Sequence, residues 1–381
     1  MKKKIIFIIA SIIVVISLVV LLFVYLNSKS SNNTSGSNSN NKINIEENNV
    51  DWDSNEEKEV TNSENGITIT ESGTYTLTGE INGQVVINSS GNVKIILDNV
   101  TINSSKGPCI LVKEADNVLI FLQSDTVNTL TDSANYSGYE DEVGVIFSHD
   151  DLTLDGEGTL KITANMEDGI VSKDDLTINN GTYVITSKDD AIRGKDSVHI
   201  TNGTFTIVAG GDGIKSSNDT DASKGYVYIE GGDINIKSGS DGIQAITKLI
   251  IDDGNITTNS LEGLEATYIV INGGTTNITA TDDGINASKK STFMTPTIEI
   301  NGGNLTVKMG QGDTDALDAN GNLYINGGTI NITAQSPFDY DKEGKLNGGE
   351  VYVNGQKVTQ LTSQMMGGQM GGQPGGHGGR R

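Results

Sequence analysis

Several residue types are nearly absent from this chain, and each absence removes a class of function or of stabilisation. Cys109 is the only cysteine in 381 residues, so an intrachain disulfide is excluded and lasting stability must come from packing, backbone ladders or bound ions. Lysine and arginine number 26 against 49 aspartates and glutamates, a formal net charge of −23. Nucleic-acid binding needs phosphate-neutralising cations, so that function is excluded. Partners should be neutral, cationic or joined through a cation. Aromatic residues make up 5% of the chain, and Trp52 is its one tryptophan. A neutral-sugar binder stacks pyranose rings on exposed aromatics, of which there are few here. Zinc is disfavoured because His149, His199 and Cys109 share no ligand spacing.

What is abundant is glycine, 47 residues of it, set among Ile, Val, Thr and Asn with only 4 prolines. That mixture is turn-rich and all-β. The one long apolar run, residues 5–26, follows Lys2, Lys3 and Lys4. At about 1.5 Å per helical residue it can cross a bilayer core of roughly 30 Å. It exceeds the apolar core of a cleavable signal, so it predicts an uncleaved transmembrane signal-anchor. Residues 1–4 would stay in the cytoplasm and the rest would lie outside, a single-pass cell-membrane protein with an extracellular domain. Residues 27–63, rich in Ser, Asn and acids, read as a disordered stalk. Residues 357–381 read as a flexible Gly/Met-rich tail, in which a Gly-His-Gly match at 376–378 has no fold to position it.

Between stalk and tail the chain repeats itself. Asp168, Asp190, Asp212, Asp241, Glu262, Asp283 and Asp315 recur at intervals of 22, 22, 29, 21, 21 and 32 residues. The two long intervals carry the insertions SNDTDASK and SKKSTFMTPT, which read as loops leaving a regular coil. Glycines at 181, 203, 232, 254, 274, 303, 328 and 349 mark a second register, where φ > 0 lets a strand turn a corner. Short alternating strands such as VHI, VYI, TFTI and TINI fill the intervals. A period near 22 with about three strands per repeat predicts a parallel β-helix, one solenoid over residues 64–356.

Parity assigns the columns. Ile170, Ile192, Ile214, Ile243, Leu264, Ile285 and Leu317 should point inward, with Ser172, Gly194, Ser216, Ala245, Ala266, Ala287 and Ala319 two places on. The column between them, Val171, Arg193, Lys215, Gln244, Glu265, Asn286 and Asp318, should face solvent. The acids share the inward parity, but the Gly or Ala that follows can break the strand and swing them out.

Strands in a sheet lie about 4.8 Å apart. Two carboxylates at that spacing repel by about 3 to 4 kcal/mol at an effective dielectric constant of 20. A column of seven needs outward splaying, shared protons or bound cations. Glu167, Asp189, Asp282 and Asp313 add further acids beside it. Calcium suits such a site because it accepts six to eight oxygen ligands in flexible geometry. The candidate metal ligands are Asp168, Asp189, Asp190, Asp212, Asp241, Glu262, Asp282, Asp283, Asp313 and Asp315. The plainer reading is that individual aspartates cap turns and face water.

The stretches ITESGTYTLTG, VKIILDNVTI, DDLTLDGEGTLKITA, DGIVSKDDLTI, DDAIRGKDSVHI and KGYVYIEGGDINI resemble the bacterial carbohydrate-binding domain-containing protein family, over about residues 65–355. The resemblance implies a right-handed parallel β-helix of the pectate-lyase-like class. It also implies non-catalytic, calcium-dependent binding of polygalacturonate or pectin, with cellulose as a second polymer. On this reading Arg193, Lys215, Gln244 and Asn286 contact the sugar, and a monomer is expected.

Two other classes compete. A polysaccharide lyase would combine calcium with a strong base, for which Arg193, the lone arginine between stalk and tail, is the candidate. Its plainer role, with Lys215, is to neutralise the acids and orient a sugar carboxylate. A hydrolase would need two Asp residues flanking the bond, and almost any adjacent rungs imitate that pair. A surface adhesin or structural rod would need no sugar ligand at all.

Overall fold

The computed structural model describes residues 50, 52, 57–139, 141–311 and 314–363. They belong to the unit Val50–Arg381, and none lies in the separate unit Met1–Asn49. The expected membrane helix, most of the stalk, Asp313 and the tail from 364 lie outside the described residues. Among the described residues no helix is long and apolar enough to cross a membrane.

Every regular element described is a β-strand. Each central repeat supplies three, as in Asp168–Ser172, Asp175–Ile178 and Thr182–Ser187, followed by Ile192–Gly194, Ser197–Ile200 and Thr204–Ala209. The first of each trio stacks into a 12-stranded sheet, and the other two join a 24-stranded one. The pairing is parallel and in register from coil to coil, as a parallel β-helix requires: Ile170 faces Ile192, Ile192 faces Ile214 and Ile214 faces Ile243.

Alternation puts one face of each strand in the core. In Thr182–Ser187, Tyr183, Ile185 and Ser187 are buried while Val184 and Thr186 are exposed. Tyr183 stacks on Phe205 of the next coil, ring centroids 4.9 Å apart. The expected inward column, Ile170 to Leu317, is fully buried. Each such side chain contributes about 2 kcal/mol through its removal from water. The small column beside it is buried as well. Where the chain turns, Gly203 has φ +128°, and a Cβ there would come within 2.9 Å of the Phe205 ring.

Outside the core, asparagines from successive Asn-Gly-Gly turns form a ladder. Asn347 donates to Asn326, Asn326 to Asn301, and Asn301 to Asn272, at 2.8 to 2.9 Å. Asn272 donates to Asp252 Oδ1 at 2.7 Å, and Tyr228 closes the run on Asp252 Oδ2 at 2.6 Å.

Regular structure extends past the expected boundaries at both ends. Glu57–Ser63, assigned to the stalk from its polarity, is a strand paired in parallel with Gly73–Asn82. Val60 is its one large apolar residue, and the strand covers what would otherwise be a bare sheet edge. At the other end Gln356–Val358 folds back antiparallel on Glu350–Val353. Leu361 and Ser363 accept hydrogen bonds from Tyr340.

Candidate functional site

The outward column of the 12-stranded sheet changes character along the stack. After Thr68 and Val86 come Leu111, Phe147 and Val171, then Arg193 and Lys215, then Gln244, Glu265, Asn286 and Asp318. The expectation that this column faces solvent fails for three of its seven residues, and the other four are half-buried. Val171 is 1% exposed, packed with Leu111 and Phe147 beneath Tyr139, and Glu265 and Asn286 are 7% and 9% exposed. Loops leaving the coil fold back over the sheet, which strand parity does not anticipate.

The acid column also departs from expectation. Asp168, Asp190, Asp212 and Asp241 keep their inward parity and are buried. The first three carboxylates each accept a backbone N–H from the next coil: Asp190 N–H to Asp168 Oδ1 at 3.0 Å, Asp212 to Asp190 at 2.9 Å, Asp241 to Asp212 at 2.9 Å. Asp315 donates to Asp283 likewise, at 3.1 Å. The second carboxylate oxygens meet cations. Arg193 pairs with Asp168 at 2.5 Å, and Lys215 bridges Asp190 at 3.2 Å and Asp212 at 2.8 Å. Main-chain donors and two basic side chains thus relieve the repulsion over the first rungs. Even so, burial outweighs Arg193 and raises the Asp168 pKa to about 7. Burial likewise raises Asp190, although Lys215 opposes it.

The ladder is interrupted at Glu262, one methylene longer than its neighbours in the column. Among the described residues, its N–H makes no bond to Asp241, and its carboxylate accepts none from Asp283. Asp241, Glu262 and Glu265 instead bring carboxylate oxygens within 4.8 Å of one another. Gln244 donates to Asp241 at 2.5 Å and to Glu265 at 3.1 Å. Asn286 donates to Glu262 at 3.2 Å, and its own buried Oδ1 has no partner among the described residues. Ser288 donates to Glu265 at 2.9 Å, and Lys290 pairs with its other oxygen. Burial first, then the charges of Glu265, Asp241 and Asp283, push Glu262 up to about 8. Asp241 moves upward for the same kinds of reason, and burial takes Asp283 to about 6 and Asp318 to about 7.

A second cluster joins Asp168, Asp189 and Asp190, with Asp189 exposed. Of the expected metal ligands, these three and the pair Asp241 and Glu262 therefore come together in two groups. Asp212 is spent on Lys215 and the Asp241 N–H, Asp282 is exposed, and Asp283 and Asp315 remain in the ladder. Gln244 and Asn286, expected to touch sugar, bond to carboxylates of the Asp241, Glu262 and Glu265 cluster instead. Glu265 was not among the expected ligands because parity placed it in solvent. Its position directly across from Gln244 and Asn286 was the available signal.

Stacked parallel coils carrying two carboxylate clusters and a pair of basic side chains define a β-solenoid with an acidic face. The profile of the carbohydrate-binding domain-containing protein family matches residues 63–314 and 263–364, and the chain belongs to that family. It is 34% identical over 154 residues to a carbohydrate-binding domain-containing protein of Acetivibrio thermocellus, a match covering 38% of this chain and 50% of that protein. The match thus spans about half the length of that curated relative. A solved structure, described as the polysaccharide lyase-like protein from C. thermocellum, gadolinium derivative, superposes with a TM-score of 0.53 at 30% identity. It covers 58% of this chain and 96% of that one.

Proposed function

We propose that this chain is a cell-surface, calcium-dependent binder of acidic polysaccharide, polygalacturonate foremost, that holds its ligand without cleaving it. The observation that carries the reading is the cluster of Asp241, Glu262 and Glu265 beside Asn286 Oδ1, which has no partner among the described residues. Its donors are all hard oxygens, the set that calcium takes. Three carboxylates this close stay charged together only when positive charge is brought among them. Asp241, Glu262, Glu265 and Asn286 would hold the ion, and Asp168, Asp189 and Asp190 form a second set. Bound there, calcium would supply the positive charge that joins protein carboxylates to those of a polyuronate.

Arg193 and Lys215 follow one another in the outward column, next to Gln244, which bonds to Asp241 and Glu265. They offer charge-assisted hydrogen bonds to sugar carboxylates. Arg193 is ion-paired with the Asp168 carboxylate. A protonated guanidinium can orient a uronate, whereas a lyase base must first lose that proton. Family membership supports carbohydrate as the ligand. The right-handed sense of the coil, the anchor at 5–26, the extracellular setting and a monomeric state belong to the same proposal.

Retention on polygalacturonate, in calcium and in chelator, with the supernatant assayed for unsaturated uronates, tests it. Retention in calcium alone without product is expected. Equal retention in chelator overturns the calcium dependence, and product release promotes the lyase.

A further inference from the structure

Residues 288–296 make an excursion between the strands Ile285–Ala287 and Thr297–Ile300. The root of this loop is fixed to the cluster of Asp241, Glu262 and Glu265 by Ser288 and Lys290, both bonded to Glu265. Further on, the buried Ser291 donates its N–H to Thr267 Oγ1 at 2.8 Å, and its own Oγ accepts the N–H of Phe293 at 3.2 Å. The backbone is therefore tied down as far as Phe293, yet the phenyl ring is 48% exposed. Phe147, Phe205 and Phe338 are buried, and Phe121 lies beneath Lys94. Among the described phenylalanines only Phe293 is held out into water. Lys289, in the same loop, is exposed as well.

We propose that Phe293 and Lys289 form a sugar subsite beside the carboxylate cluster, with a uronate ring stacked on Phe293 and its carboxylate bonded to Lys289. The inference rests on the polyuronate reading above and adds the residues that read the sugar ring. The C–H face of a pyranose is apolar and matches an aromatic face in area. A uronate carries a carboxylate at its edge, and an exposed ammonium can meet it with a charge-assisted hydrogen bond. Phe293 is three positions after Lys290, at most about 11 Å of chain, so the ring stays close to the cluster that Lys290 touches. A rigid loop presents the ring without ordering cost on binding, which is where a fixed platform gains affinity.

The test compares the full chain with Phe293→Ala, Phe293→Tyr and Lys289→Gln, titrated in calcium with oligogalacturonate and with a neutral cello-oligosaccharide. Phe293→Ala should weaken oligogalacturonate binding about tenfold, the size of one ring contact, while Phe293→Tyr keeps it. Lys289→Gln should weaken the acidic ligand and leave the neutral one unchanged. In each variant the calcium-induced rise in melting temperature should match wild type, showing an intact fold and cluster. Wild-type binding that Phe293→Ala leaves unaltered overturns the subsite alone. Wild type that fails to bind oligogalacturonate overturns the polyuronate reading and the subsite with it. A concentration-dependent dimer abolished by Phe293→Ala, with sugar binding intact, assigns the ring to a contact between copies and also overturns the subsite.

Discussion

The backbone N–H of Asp190 donates to the carboxylate of Asp168, 3.0 Å away and one coil earlier. The aspartate is thus acceptor for the following coil and, through its own N–H, donor to the preceding one. Repetition of the acid builds a side-chain-to-backbone seam along the stack, and Arg193 and Lys215 balance its charge.

Cutting that seam should be costly. Asp190→Ala leaves the Asp212 N–H without its acceptor and Lys215 with one partner in place of two. A loss of about 2 to 4 kcal/mol is expected from a buried bond and a broken ion pair. Asp190→Asn keeps an acceptor and should lose less. Urea denaturation of both variants checks the order.

Stability without metal should fall as pH rises. Glu262 has its folded pKa raised to about 8 from an ordinary 4.5, so between those values the folded state holds more protons than the unfolded one. Its contribution is present below about pH 4.5 and is lost as pH climbs through 8. In chelator, wild type should melt lower at pH 8 than at pH 5, and Glu262→Gln should flatten that slope. A slope of equal size in the variant would rule out Glu262 as its source.

Calcium should raise the melting temperature of wild type by mass action on the folded state. Glu265→Gln should remove most of that rise, since it weakens the cluster and frees Lys290. Scanning calorimetry in excess calcium and in excess chelator decides the matter. Identical wild-type curves would leave the cluster without a metal role.

Arg193→Ala should reduce polygalacturonate retention about tenfold through loss of one charge-assisted contact, and Arg193→Lys should recover part of it. Methyl-esterified pectin should bind wild type poorly, because its carboxyls are capped. Sedimentation with the insoluble polymers measures both.

Much of the fold is legible in the sequence because its signals are local. Alternation within three to six residues marks Ile192 or Tyr183 as inward, and the recurring glycines mark the corners. The fate of Asp168 is another matter. Whether it turns in or out depends on the N–H of Asp190, a full coil away, and no local pattern reveals that bond. Glu265 was missed for a related reason: a loop 23 to 25 residues later folds Ser288 and Lys290 onto it. Glu57–Ser63 carries almost no apolar signal, since its role is to cover an edge made by other residues.

Glu262 has one more consequence. For a polymer held along the acid column, rungs of like aspartates would offer like registers, between which a bound chain would slide at little cost. A single extra methylene at one rung ends that equivalence. It singles out one position along the axis, where a sliding ligand would stop.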